Sequence, residues 1–142
     1  MQLKEIMNAK VECIQKDLTV QEAAQKMKML DVGMVPVYNG DRLVGMITDR
    51  DIAIRSVAEG RDPGKTSVNT VMTPKVVYCY ENQTTDDAAK VMEEQQIRRL
   101  IVLDRDQRLV GIVSLGDLAT HSSSKQVAGE ALGEISQAAA QH

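Results

Sequence analysis

Arg42-Leu43-Val44-Gly45-Met46-Ile47-Thr48-Asp49-Arg50-Asp51-Ile52 is written a second time, with substitutions, as Arg108-Leu109-Val110-Gly111-Ile112-Val113-Ser114-Leu115-Gly116-Asp117-Leu118. Each copy opens on a Val/Ile/Leu-rich run that predicts a strand. A hydroxyl residue follows, and a carboxylate stands three positions after it, the spacing of a capping box at a helix start. The local order is therefore strand, hydroxyl, helix. Hydroxyl and carboxylate fall within one turn, at the helix end where unpaired N–H groups can receive an anion. The same spacing is also that of a plain helix cap, which stabilises a helix by about 1 kcal/mol with no ligand at all.

The duplication extends beyond this tract. Ile6-Met7-Asn8 aligns with Val71-Met72-Thr73 at a shift of 65, which also matches Ala23-Ala24 to Ala88-Ala89 and Met27 to Met92. The turn Asn39-Gly40-Asp41 has a counterpart one residue longer, Asp104-Arg105-Asp106-Gln107, after which the shift is 66 through Leu118. A hairpin loop is where such an insertion is tolerated.

In the first repeat, Val11 to Ile14 predicts an extended segment, and Thr19-Val20-Gln21-Glu22 a capping box that opens a helix. That helix presents Val20, Ala23, Ala24, Met27 and Leu30 at helical spacing, so Met27 reads as core. Met34 to Tyr38 and Leu43 to Ile47 predict a hairpin, with Pro36 suited to a strand edge or start. A second helix is expected from about Asp49 to Glu59, burying Ile52, Ala53 and Val57, with Gly60 ending it. The second repeat follows the same order. The expected organisation is a first repeat at 1–60, a linker at 61–70, a second repeat at 71–121, and at 122–142 a joint followed by a short amphipathic helix carrying Val127, Ala131 and Ile135. The fold class is α/β (α+β), two β-α-β-β-α repeats plus a C-terminal helix.

Composition excludes several functions. The 142 residues include no Phe or Trp and only three Tyr, so stacking platforms for bases are scarce, and the formal charge of −3 is interleaved rather than clustered. Nucleic acid is not expected as a partner. No apolar run approaches the roughly 20 residues of a membrane span, and Met1-Gln2-Leu3-Lys4-Glu5 lacks a signal-peptide core, so a soluble, cytoplasmic protein is expected. Cys13 and Cys79 have no Cys or His partner at metal-ligand spacing and read as two reduced thiols in strands; no metal site is expected. His121 and His142 lie outside the motif tracts and no nucleophile elbow is present, so the reading is not an enzyme.

The tandem repeats resemble a pair of cystathionine-beta-synthase (CBS) domains, a Bateman module. The resemblance covers residues 4 to about 121. It rests on the passage Val32-Gly33-Met34-Val35-Pro36-Val37, its echo Ile97-Arg98-Arg99-Leu100-Ile101-Val102, and the tracts Gly45-x-x-Thr48-x-x-Asp51 and Gly111-x-x-Ser114-x-x-Asp117. The second repeat departs from the family in carrying Ile101 where Pro is common. The resemblance implies a pseudo-two-fold pair of units and a regulatory sensor with clefts for adenine nucleotides (AMP, ADP or ATP) or a related ligand such as S-adenosylmethionine. In that pattern the tract of one repeat works with the helix-to-strand passage of the other. One implied site is Thr48, Arg50 and Asp51 with Ile97, Arg98, Arg99 and Leu100; the other is Ser114 and Asp117 with Val32, Gly33, Met34, Val35 and Pro36.

The residue chemistry suits such ligands. Thr48 and Ser114 can donate to phosphate, Asp51 and Asp117 can accept from ribose hydroxyls, and Arg50, Arg98 and Arg99 can neutralise phosphate. Because Leu115-Gly116 replaces Asp49-Arg50, the second tract lacks one cation and the two sites are expected to be unequal. Gly33 equally reads as a helix C-cap, and Arg98 and Arg99 as solvated side chains. The resemblance further implies a homodimer; the tail's apolar stripe either packs on its own domain or meets a partner, and a chain that is a binding module and little else is expected to signal to an unidentified protein partner. The alternative function is a ligand-free interaction protein of the same fold.

Overall fold

The computed structural model describes residues 1–120 together with Gly129, Leu132, Gly133 and Ile135. A 3-10 turn at Leu3–Glu5 precedes β1 (Ile14–Gln15), α1 (Val20–Leu30), β2 (Met34–Asn39), β3 (Arg42–Thr48) and α2 (Asp49–Asp51), which continues as a π-helix at Ile52–Val57. The order then repeats: α3 (Val68–Val71), β4 (Tyr78–Tyr80), α4 (Thr85–Gln95), β5 (Arg99–Leu103), β6 (Leu109–Ser114) and α5 (Leu115–Thr120). The architecture is mixed α and β with two three-stranded sheets, ordered β1-β2-β3 and β4-β5-β6. In each sheet the first pair is parallel and the second antiparallel, with one irregularity, at Val37/Tyr38 and at Val102/Leu103.

The helix starts are set by capping. Thr19 Oγ1 accepts from Glu22 N–H at 3.1 Å while the Glu22 carboxylate accepts from Thr19 N–H at 3.3 Å, and Thr84 with Asp87 repeats the exchange at 3.2 and 3.0 Å. α1 buries Val20, Ala23 and Met27, and α4 buries Ala88, Ala89 and Met92. Both helices end on a left-handed residue, Asp31 (φ 54°) and Gln96 (φ 58°). The left-handed cap is therefore Asp31 and not Gly33, a conformation that Asp adopts more readily than most residues.

The chain forms two compact units whose boundaries differ from those of the sequence repeats. The central unit is Glu12–Val76; the C-terminal unit is Met1–Val11 together with Val77–His142. Backbone bonds explain the exchange. In the C-terminal unit Leu3 N–H donates to Gln83 O at 2.9 Å, and Asn8 and Ile112 exchange reciprocal bonds; in the central unit Val68 N–H donates to Leu18 O at 2.8 Å, and Thr73 and Met46 do the same. Each opening segment thus pairs with the body of the other repeat. The 61–70 stretch expected as a linker contains Val68, which is fully buried in the central core.

Each unit has an aliphatic core of its own. The central core gathers Ile14, Val20, Met27, Val35, Val37, Ile47, Val68 and Val71, and the other Leu3, Met92, Leu100, Val102, Val113, Leu118 and Ile135. The inward face expected for the second helix is different: Val57 is 68% exposed and Ala53 exposed, whereas Ser56 is fully buried. The reason is the π-helical bonding, Ala58 N–H to Ala53 O at 2.9 Å and Arg61 N–H to Ser56 O at 3.0 Å. That i→i+5 ring widens the turn and moves the inward positions to Ile52 and Ser56. Pro36 sits in the central strand β2, but β1 pairs only with Val37 and Tyr38, so the proline's missing N–H breaks no ladder. Cys13 is exposed and precedes β1 rather than lying in a strand, while Cys79 is buried in β4. Of the expected tail helix at 126–140, Val127 and Ala131 lie outside the described residues, whereas Ile135 is helical and buried in the core of its own unit. Among the described residues no helix is long and apolar enough to cross a membrane.

Candidate functional site

Antiparallel pairing sets the start of one strand against the end of the next. In the central unit Met34 faces Thr48 across β2 and β3; in the C-terminal unit Arg99 faces Ser114 across β5 and β6. A backbone bond ties each corner, Asp49 N–H to Gly33 O at 2.9 Å and Leu115 N–H to Arg98 O at 2.8 Å. Within each unit, the helix-to-strand passage and the hydroxyl-and-carboxylate tract of the same repeat therefore meet at one end of the sheet.

Both tracts are closed capping boxes. Thr48 Oγ1 accepts from Asp51 N–H and Asp51 Oδ2 from Thr48 N–H, each at 3.0 Å. Ser114 Oγ accepts from Asp117 N–H at 3.0 Å and Asp117 Oδ2 from Ser114 N–H at 2.8 Å. The carboxylates then diverge. Asp51, 7% exposed, also accepts from Thr73 Oγ1 at 3.1 and 3.2 Å on its two oxygens and has Arg55 Nε at 4.0 Å. Among the described residues Asp117 has no such second donor. At the position aligned with Thr73 the C-terminal unit has Asn8, whose Oδ1 accepts from Lys10 N–H instead.

Beside Ser114 a cavity of about 560 Å³ opens within the C-terminal unit, lined by Arg98, Arg99, Ser114, Leu115, Gly116, Ala119, Gly129 and Leu132. Its lining brings Arg98, Arg99 and Ser114 together with the apolar residues Leu115, Ala119 and Leu132. Arg98 is exposed and Arg99 half-buried. Of the other residues singled out in the second repeat, Ile97 is half-buried against the core, Leu100 is fully buried in it, and Asp117 stands outside the lining. In the first repeat, Arg50 is exposed, Thr48, Val32 and Gly33 are half-buried, and Met34, Val35 and Pro36 are buried, Val35 as part of the core. Sequence reasoning did not pick out Thr73, nor Leu115, Gly116, Ala119, Gly129 and Leu132 as lining. Leu132 carried a usable signal, since it stands three residues before Ile135 on the same helical side.

The CBS domain family matches the chain twice, over residues 3–57 and 68–124. The CBS domain-containing protein YhcV of Bacillus subtilis is 46% identical over 134 residues, 94% of each chain. A solved structure of Hypoxic Response Protein I with two coordinated zinc ions aligns at a TM-score of 0.74 and 39% identity, over 85% of this chain and 98% of that one. Among the described residues here, no group of three or more His, Cys, Asp or Glu side chains is placed to hold a metal ion. The CBS domain pair of protein MJ0100, solved with 5′-methylthioadenosine and S-adenosyl-L-methionine, aligns at a TM-score of 0.76 and 26% identity, over 88% of this chain and 98% of that one.

Proposed function

Because the chain belongs to the CBS domain family, we propose that it is a regulatory module whose C-terminal unit binds an adenine nucleotide, AMP, ADP or ATP, in the cavity beside Ser114. The observation that carries the reading is the meeting of Arg98, Arg99 and Ser114 on one cavity with an aliphatic wall. Its volume falls in the range of small-molecule sites. Guanidinium groups match phosphate oxygens in fork geometry. Ser114 Oγ, which accepts from Asp117 N–H, keeps its own proton to donate to a phosphate oxygen. Asp117 acts through this serine, since its carboxylate fixes the Ser114 backbone. Leu115 and Ala119 offer the base an apolar surface.

The adenosyl ligands of the MJ0100 pair support an adenosine-shaped occupant. The two arginines favour a phosphorylated one over the sulfonium cation of S-adenosylmethionine. The central tract is the weaker candidate, because the Asp51 carboxylate is already engaged by Thr48, Thr73 and Arg55. Occupancy changes conformation or association, and a protein partner reads that change.

A thermal-shift panel of AMP, ADP, ATP and S-adenosylmethionine tests this reading. A ligand that binds only the folded chain stabilises it by about 2.7 kcal/mol at a hundred times its Kd. At least one nucleotide raises the melting temperature if the reading holds. If none does at millimolar concentration, the alternative stands, an interaction protein of the same fold whose tracts are plain caps. The closed boxes at Thr48 and Ser114 favour that second reading.

A further inference from the structure

Gly129, Leu132 and Ile135 are helical and recur every three residues, a spacing that sets each beside the next on a helix surface. Their environments differ. Ile135 is 6% exposed and belongs to the buried cluster that contains Leu115 and Leu118. Leu132, three residues earlier, is 43% exposed and lines the cavity with Arg98, Arg99 and Ser114. Gly129 lines it too, and a Cβ built there would meet nothing within 4 Å. The side chain that glycine lacks would project into open space.

We propose that Gly129, Leu132 and Ile135 together form a wall of the nucleotide site and set what it admits. Ile135 anchors the wall to the core, Leu132 packs against the base, and Gly129 leaves the space the ligand fills. The assignment rests on the nucleotide reading of the cavity and adds to it the element that feels occupancy. A ligand held by Arg98 and Ser114 and touching Leu132 adds to the anchoring by Ile135, so binding favours the arrangement in which Leu132 lines the cavity and Ile135 is buried.

Calorimetric titration of the full chain with AMP, and with ADP and ATP in parallel, separates this proposal from the reading beneath it. Gly129→Leu fills the open space with a better helix former, so its ligand-free melting temperature equals or exceeds that of the wild type while affinity falls more than about tenfold. Leu132→Ala, made on an exposed side chain, folds as the wild type and weakens binding roughly five- to tenfold through lost apolar contact. In the wild type, AMP slows amide hydrogen exchange at Leu132 and Ile135. If Gly129→Leu folds poorly, Leu132→Ala and the exchange measurement decide. Wild-type binding with unchanged affinity in both variants, or with unchanged exchange, overturns the wall while the nucleotide reading stands. Absence of wild-type binding to all three nucleotides overturns both.

Discussion

Replacing each tract carboxylate by alanine distinguishes a cap that is only a cap from one tied into its surroundings. In Asp117→Ala the loss among the described contacts is the Ser114 box, about 1 kcal/mol for a helix cap. Asp51→Ala loses the equivalent Thr48 box and also the bond from Thr73 Oγ1, at 3.1 and 3.2 Å to a carboxylate that is 7% exposed. A hydrogen bond to a charged group is worth about 1.5–3 kcal/mol. Arg55 adds little, since its Nε lies 4.0 Å away on a side chain that is 51% exposed. The expected cost of Asp51→Ala is therefore about 2.5–4 kcal/mol, against about 1 for Asp117→Ala. Urea unfolding followed by far-ultraviolet circular dichroism measures both, the chain having no Trp to report fluorescence. A double-mutant cycle isolates the added bond, because Thr73→Val destabilises the wild type but hardly affects Asp51→Ala. Equal losses for the two alanine variants, or a Thr73→Val cost independent of Asp51, would refute the asymmetry between the units.

The remaining predictions concern close packing and ionisation. A Cβ on Gly45 would stand 2.5 Å from Thr73 O, backbone held by reciprocal bonds with Met46, whereas one on Gly111 meets first the flexible Met7 Sδ at 2.5 Å. Gly45→Ala should therefore cost about 1–3 kcal/mol and Gly111→Ala less, and equal urea midpoints would contradict this. Burial, with a smaller contribution from Asp87, pushes the Cys79 thiol up to about 11, so a thiol reagent at pH 8 labels only Cys13 in the folded chain and both cysteines in urea. Rapid native labelling of Cys79 would contradict its placement in the core. The bonds from Thr84 hold the Asp87 carboxyl below its ordinary value of 3.8. A lowered carboxylate contributes stability that is present above its unfolded pKa and lost as pH falls through the folded one. Nuclear magnetic resonance titration should give Asp87 a midpoint below 3.8 in the wild type, with only a partial rise in Thr84→Ala, which removes the smaller side-chain contribution and keeps the larger one from the Thr84 backbone N–H; a wild-type midpoint at or above 3.8 would contradict it.

How much could be read in advance differs from residue to residue for physical reasons. Thr19, Thr84, Thr48 and Ser114 announced their helix starts, because a cap is a local exchange between residues three apart. The hairpins and the longer second loop were equally readable, since alternation and turn residues are local signals. The pairing of Leu3 with Gln83 and of Val68 with Leu18 was not, because a duplicated sequence looks the same whether a segment packs on its own repeat or on the other. The π-helix at Ile52–Val57 defeated a period-3.6 reading and exchanged Val57 for Ser56 inside. Arg98 and Arg99 stood out in the passage and Ser114 in the tract, but the rest of the cavity lining did not. Gly129 and Leu132 reach it only through tertiary packing.

The central claim is that the arginine-lined cavity of the C-terminal unit binds an adenine nucleotide. Its most direct test is calorimetric titration of AMP, ADP and ATP into the wild type, the Arg98→Ala/Arg99→Ala double variant and Arg50→Ala. The account predicts saturable heat in the wild type and in Arg50→Ala, and a loss of affinity well above tenfold in the double variant, at about 1.5–3 kcal/mol for each charge-assisted bond removed. No heat with the wild type at millimolar nucleotide, or full affinity in the double variant, would contradict it.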